Sequence, residues 1–180
     1  MQSKTATVHV KMSKPVFRRF AFYDTFLLRR HWRLPALFSS LFFIFSVVCF
    51  ILRDKPQAGL LGCVLMGISL ILPGIYVLSF NMQVSGECRK LHLDSPRPAY
   101  TVTFSPEEIT VVNDMKKEAH VKLPYKTLTG VWRDKNAFYL YATTKRAFIL
   151  PDGQADVSPA ELYDLFKERL PQGKLHGKHP

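Results

Sequence analysis

Acidic residues are scarce in this chain: 14 Asp and Glu stand against 25 Lys and Arg, giving a formal net charge of +11 over 180 residues. Cysteine is scarcer still. Cys49, Cys63 and Cys88 are an odd number with no C-x-x-C pair, so a redox dithiol and a thiolate zinc site are excluded. No disulfide framework is implied, and a reducing compartment suits such a chain. The six histidines include no H-x-x-x-H pair and none at ligand spacing from a cysteine; His176 and His179, three apart in a Gly/Lys-rich tail, read as solvated. G-x-S-x-G, P-loop and G-x-G-x-x-G patterns are missing, which removes the usual hydrolase and nucleotide-binding readings. Glu107 and Glu108 are adjacent at a strand start, point to opposite faces, and cannot work as a paired acid and base. The sequence therefore offers no catalytic residue, no cofactor site and no metal site, and is read as non-enzymatic.

The positive charge is unevenly placed. Residues 1–33 hold eight Lys/Arg against the single acid Asp24, whereas residues 81–180 hold fifteen against twelve. A nucleic-acid-binding module would spread its basic residues over a folded surface. A basic segment abutting an apolar run instead suits a membrane surface.

Charge is wholly absent from two stretches. Leu34–Leu52 is an uncharged run of 19 residues and Ala58–Phe80 one of 23, about 28 and 34 Å as helices against a hydrocarbon core of about 30 Å. Arg53–Gln57 between them leaves room only for a tight hairpin, and Pro73-Gly74 is where a kink is expected. The cluster Arg18, Arg19, Arg29, Arg30 and Arg33 before the first run, with Arg89 and Lys90 after the second, puts both termini in the cytoplasm and the loop outside. Gly59, Cys63 and Gly67 recur every four residues and form a small-residue stripe suited to helix packing. Its expected partner is the first span, through Ala36 and Ser40, with homo-oligomerisation through the second span as the alternative.

Outside these runs the pattern is mostly of period two. Thr5–Met12 alternates as a strand, and Ser13 with Pro15 opens a helix over Val16–Arg33 whose aromatics and arginines suit the headgroup level. Beyond Pro98, alternating runs around Tyr100–Phe104, Ile109–Val111, Val121–Tyr125, Leu128–Arg133, Phe138–Ala142 and Ala147–Leu150 are spaced as hairpins, one with its tip at Met115–Lys117. Ser158 and Glu161 make a capping box for a helix with Leu162, Leu165, Phe166 and Leu170 on one face. Trp132 is expected to pack at a core or edge position.

The fold class expected is an α+β membrane protein: a two-helix transmembrane hairpin plus a cytoplasmic pleckstrin-homology-like β domain of about seven strands with a C-terminal capping helix. Its parts are an N-terminal strand and basic aromatic helix (1–33), the hairpin (34–80), the β domain (81–171) and a loose tail (172–180). Element order puts the hairpin after the first strand but does not fix whether strand 5–12 joins the β domain.

The blocks TVTFSPEEITVVN, LPYKTLTGVWRDKNAFYLY and AFILP resemble the YcxB-like family of small bacterial membrane proteins. Leu123-Pro124-Tyr125, Val131-Trp132, Phe138–Tyr141 and Ile149-Leu150-Pro151 carry the likeness, although many members have Trp where Tyr125 stands. The resemblance implies architecture and a bacterial plasma membrane rather than an activity. Three functions remain. The first is a membrane-anchored interaction or regulatory module for an unknown protein partner. The second is recognition of anionic lipid in the inner leaflet of the bilayer, with Arg29, Arg30, Arg33, Arg89 and Lys90 as headgroup contacts. The third is a subunit of a small oligomeric channel or transporter.

Overall fold

A computed structural model of the chain describes residues 5–52, 55, 57–114, 120–144 and 146–180. Residues 53, 54 and 56 of the interhelical loop and the anticipated turn tip at 115–117 lie outside the described residues. The chain forms two compact units: a β unit, made of the N-terminal segment up to Val16 together with Leu93–Pro180, and a helical unit, Phe17–His92.

In the β unit, strand β1 (Ala6–Met12) buries Ala6, Val8 and Val10 and exposes His9 and Lys11, as its alternation requires. It pairs antiparallel with β2 (Arg97–Phe104), Val8 opposite Val102 and Met12 opposite Arg97, with a register shift between Val10 and Lys11. The N-terminal strand thus joins the β unit from the far side of the helices. β3 (Glu108–Asn113) and β4 (His120–Pro124) complete a sheet ordered β1-β2-β3-β4. A second sheet, ordered β7-β6-β5-β8, contains β5 (Gly130–Asp134), β6 (Ala137–Tyr141), β7 (Ala147–Pro151) and the two-residue β8 (Leu175–His176). Residues 125–127, expected as the end of one strand and the approach to the next, instead form a 3-10 turn.

Both sheets close on one core. Helix α4 (Pro159–Arg169) starts at Ser158, whose hydroxyl accepts from Glu161 N while Glu161 accepts from Ser158 N, the expected capping box. It drives Phe166 between the sheets, 5.2 Å from the Phe104 ring and 5.5 Å from that of Phe138. Two edges are covered by other parts of the chain. Gln154 O and Oε1 accept from His9 N and Lys11 N along β1. On β7, the Tyr100 hydroxyl donates to Ile149 O (3.0 Å) and accepts from Ile149 N (2.7 Å), so one phenol does the work of a neighbouring strand.

The C-terminal residues, expected as a loose tail, are docked. β8 runs parallel to β5, Lys174 O accepts from Val131 N at 2.7 Å, and Lys174 Nζ donates to Lys126 O and Leu128 O. Low hydrophobicity hid this, because the tail is held mainly by backbone and ammonium hydrogen bonds.

In the helical unit, α1 (Lys14–Phe22) passes into a π-helical turn (Tyr23–Leu28), then come α2 (Arg33–Ile51) and α3 (Ala58–Lys90). The single helix expected over Val16–Arg33 breaks at Arg30, which has φ 52°. Helix α3 runs through Pro73-Gly74 and continues ten residues past Phe80, through Ser85-Gly86, to Lys90.

Tyr100→Phe removes both hydrogen bonds to a buried edge, and thermal unfolding of the full chain should show a loss of about 1–3 kcal/mol. Burial raises the Tyr100 phenol above its ordinary value, opposed by its backbone bond to Ile149. A raised phenol contributes stability that is full below about pH 10 and is lost as pH rises beyond it. Comparing unfolding at about pH 8 and pH 11 should show a smaller alkaline loss in the variant than in the parent chain.

Candidate functional site

The site is built on packing of α2 against α3. Ser39 Oγ donates to Ser69 O (2.6 Å), Ser69 Oγ returns a bond to Ser39 O (3.0 Å), and Ser46 Oγ donates to Gly62 O (2.7 Å). The pairs 39/69 and 46/62 define an antiparallel hairpin. A Cβ at Gly62 would lie 3.2 Å from the Phe50 ring and 3.3 Å from Cys49 Cβ, so a larger residue there would push these neighbours by a few tenths of an ångström and glycine favours the close approach.

The small-residue stripe is not this contact. Nothing lies within 4 Å of a Cβ built on Gly59 or Gly67, and Cys63 is exposed. Ser40, one of its expected partners, bonds back to Ala36 in its own helix. The packing face is carried by Gly62 and Ser69, seven residues or two turns apart, and Gly59, Cys63 and Gly67 point elsewhere.

The upper half of α3 packs on α1 and its π turn. Arg18 donates to Asn81 Oδ1, and the Phe26 ring lies 5.9 Å from Tyr76 and 5.1 Å from Phe80. One 33-residue helix thus carries α2 on its first part and α1 on its second. At the junction, Asp24 O accepts from Arg29 N and the Asp24 carboxylate holds Arg29 Nε at 2.8 Å. Arg30 is exposed in the left-handed region, which is uncommon for a residue with a side chain, and Arg33 is exposed as the first residue of α2.

Arg89 and Lys90 occupy the last turn of α3, where cations complement the carbonyl end of the helix; Lys90 Nζ lies 2.7 Å from Glu87 Oε1. Thirteen residues separate Arg89 from Tyr76, which touches Phe26, so these cations stand about 20 Å further along the helix axis than that contact. The sequence reading joined all five basic residues in one layer. The extended α3 instead separates them into two levels.

Beside the junction lies an open groove of about 670 Å³. Phe17, Ala21, Phe80 and Val84 form its apolar middle; Thr25, His31, Tyr76 and Ser79 line one stretch, and Gln83 and Glu87 lie further along α3. No sequence motif pointed to it, because its residues come from three helices. The aromatic and small residues on successive turns at Phe17, Ala21 and Thr25 were its one legible trace.

In the β unit, Trp132 stacks on His176 (4.7 Å) and meets Tyr141 edge-on. Trp132 is therefore an edge-packing residue covered by the tail. Arg133, its side chain 7% exposed, makes a bidentate pair with Asp152 at 2.6 and 2.7 Å and lies 4.4 Å over the Phe138 ring. The Tyr125 hydroxyl donates to Ser105 O and accepts from Arg169 Nη1, and burial raises its phenol against the opposing pull of Arg169. These groups bond to one another and brace the fold. Among the described residues no three His, Cys, Asp or Glu side chains are grouped to hold a metal ion.

Leucine at position 62 would meet Phe50 and Cys49, whereas leucine at 67 enters open space. Gly62→Leu should destabilise the hairpin by about 1–3 kcal/mol and Gly67→Leu by less than about 1 kcal/mol, read as thermal unfolding of the detergent-solubilised chain.

Both α2 and α3 are long and apolar enough to cross a membrane. No curated protein and no solved structure matches the chain. Residues 104–168, from the end of β2 into α4, match the model of the family described as YcxB-like protein, and this part of the chain is similar to that family.

Proposed function

We propose that the chain is a membrane-anchored, non-enzymatic interaction module in which α2 and α3 cross a bacterial plasma membrane and the β unit works on its cytoplasmic face. One observation carries this reading: the apolar windows of the two helices are only 6% and 11% buried within the protein. Leu34, Ile51, Leu60 and Leu70 are each at least 65% exposed. A core helix of a water-soluble domain is mostly covered, and an unbroken exposed apolar surface of this extent calls for lipid or another protein.

The β unit is read as pleckstrin-homology-like. Two sheets of mostly antiparallel strands with one C-terminal helix filling the space between them support that outline. Its part in the function is to hold an unidentified protein partner near the bilayer, with regulation or scaffolding as the outcome. Homo-oligomerisation is a further expectation, because the stripe Gly59, Cys63 and Gly67 is not occupied by α2 and lets a second copy approach closely.

A second reading, recognition of anionic lipid, is favoured by the exposed Arg30 and Arg33 where the first span begins. Arg89 and Lys90 stand about 20 Å further along α3 than the Phe26–Tyr76 contact, at a second level of that helix. The channel reading has least support, since Ser39, Ser46 and Ser69 bond across the hairpin rather than lining a pore.

Orientation is tested with single cysteines in a background free of the native three. In intact cells, Gln57→Cys should react with a membrane-impermeant maleimide, and Gln172→Cys only after permeabilisation. Labelling of residue 172 in intact cells would overturn the cytoplasmic placement of the β unit.

A further inference from the structure

The C-terminal residues cover one edge of the second sheet in the β unit, as an added strand rather than as part of the core. We propose that this edge of β5 is a peptide-docking site, closed by the chain's own residues 174–177 and opened by an extended segment of another protein. That segment would present lysine, an aliphatic residue, a flat ring and glycine in this order. The proposal deepens the interaction-module reading above and rests on it, since it names the surface through which the β unit would hold its partner.

Without β8 the second sheet would end at β5, because its order is β7-β6-β5-β8. The stretch similar to the YcxB-like family stops at residue 168, inside α4, so the covering strand lies beyond it. None of residues 171–180 is buried; the core itself ends at Leu170, and Leu175 only packs against it. The tail is therefore held chiefly by polar contacts at a strand edge, which water replaces when a strand leaves. Extended peptides bind open sheet edges by the same contacts, with main-chain bonds giving affinity and alternate side chains giving specificity.

Four successive residues of the tail are recognised in four different ways. Lys174 O accepts from Val131 N at 2.7 Å, while Lys174 Nζ donates to Lys126 O at 2.8 Å and to Leu128 O at 2.6 Å. Two carbonyls around one ammonium select lysine, which is all donor. Leu175 lies opposite Val131 and packs against the core. His176, opposite Trp132, stacks on the indole with ring centroids 4.7 Å apart. Gly177 has φ 107°, and a Cβ there would lie 2.8 Å from both Arg133 Cβ and Arg133 O, so glycine is required. On the strand, Gly130 leaves room for the Trp132 ring and for Lys174 O, which a Cβ would meet at 2.7 Å and 3.1 Å. Helix α4 forms the other wall: the Tyr163 hydroxyl donates to Gly177 O at 3.4 Å, and the Asp164 carboxylate lies 3.4 Å from His179 Nε2. A second copy has no tail to offer, because Lys174 N donates to Pro171 O in a tight turn that returns each tail to its own β5.

The test compares the full chain with a chain ending at Pro171, both in mild detergent, using a fluorescein-labelled peptide of residues 173–180 as the probe. The shortened chain should bind the peptide. The parent chain should bind it at least about tenfold more weakly, because a tethered tail competes at an effective concentration on the order of millimolar. The peptide carrying Gly177→Val, or one with its residues scrambled, should bind the shortened chain at least about tenfold more weakly than the unaltered sequence. Gly177→Val in the full chain should release its tail and raise peptide binding to that of the shortened chain. Thermal unfolding is followed on all three chains. Equal binding by parent and shortened chains, equal binding of the unaltered and scrambled peptides, or no binding by a folded opened chain would overturn the docking site. Loss of the unfolding transition in both opened chains would make the tail part of the fold and sink the proposal as well. Capture of the parent chain by the shortened chain as tightly as the peptide would make a second copy the occupant and refute another protein as the partner. Binding is read without a bilayer, so its failure leaves the anchor reading standing. Release of the parent chain from membranes by alkali would instead defeat that reading and leave the docking site.

Discussion

The pairing of β1 with β2 is the constraint on which the rest of the chain depends. The two strands are neighbours in one sheet but lie on opposite sides of the helical unit in sequence, with Met12 opposite Arg97. Antiparallel neighbours lie about 4.8 Å apart, so the chain must leave and return at the same end of the ladder within roughly that distance. Beyond the strands, Lys14 N donates to Leu93 O at 3.1 Å and Lys14 Nζ lies 4.0 Å from the Asp94 carboxylate, continuing the contact to the threshold of the helices. Whatever the excursion from Phe17 to His92 does, it has to be a closed one. In a membrane that means an even number of crossings, and two apolar helices joined by a short turn are its smallest form.

Sequence pattern made much of this legible. Period-two alternation located β1 and β3 because alternate residues of each are buried, and the Ser158/Glu161 box marked the start of α4 because its chemistry is local. The two long apolar helices were legible because absence of charge over 19 and 23 residues leaves few other readings. Features that depend on distant partners were not. Gly62, rather than the more regular Gly59, Cys63 and Gly67, carries the hairpin contact, and nothing in one helix reveals which face its neighbour will take. The length of α3 was underestimated because the apolar run ends at Phe80 while the helical propensity does not. The tail was misread because Leu175 and His176 dock by adding a strand, an interaction with almost no compositional trace.

Local backbone geometry links the two halves of the helical unit. An uninterrupted helix from Lys14 through Ile51 would extend about 57 Å. Breaking it at Arg30 leaves two shorter pieces that both pack along one 33-residue helix. Single π turns are frequent at functional sites, and a non-glycine residue at positive φ costs on the order of 1–3 kcal/mol that surrounding contacts must offset. Here Phe26 against Tyr76 and Phe80, and Asp24 against Arg29, provide such contacts. The opening beside this break is where the groove forms, so strain and cavity share one origin.

Electrostatics then gives the two ends of the helical unit different characters. Arg89 and Lys90 lie at the carboxyl end of α3, where the exposed carbonyls favour positive charge. Arg33 stands at the amino end of α2, after Arg30, His31 and the N-cap Trp32, where the helix itself presents partial positive charge and further cations are disfavoured by about 0.3–1 kcal/mol each. Asp24 answers one of these charges through Arg29, in a paired contact at 2.8 Å. Positive-inside orientation needs basic residues near the span but does not require them at the helix end that disfavours them. An anion beside the junction would ease that placement, because guanidinium groups prefer negative charge. Placement of charge, more than its amount, is what distinguishes a binding role for this arginine cluster from one confined to orienting the chain.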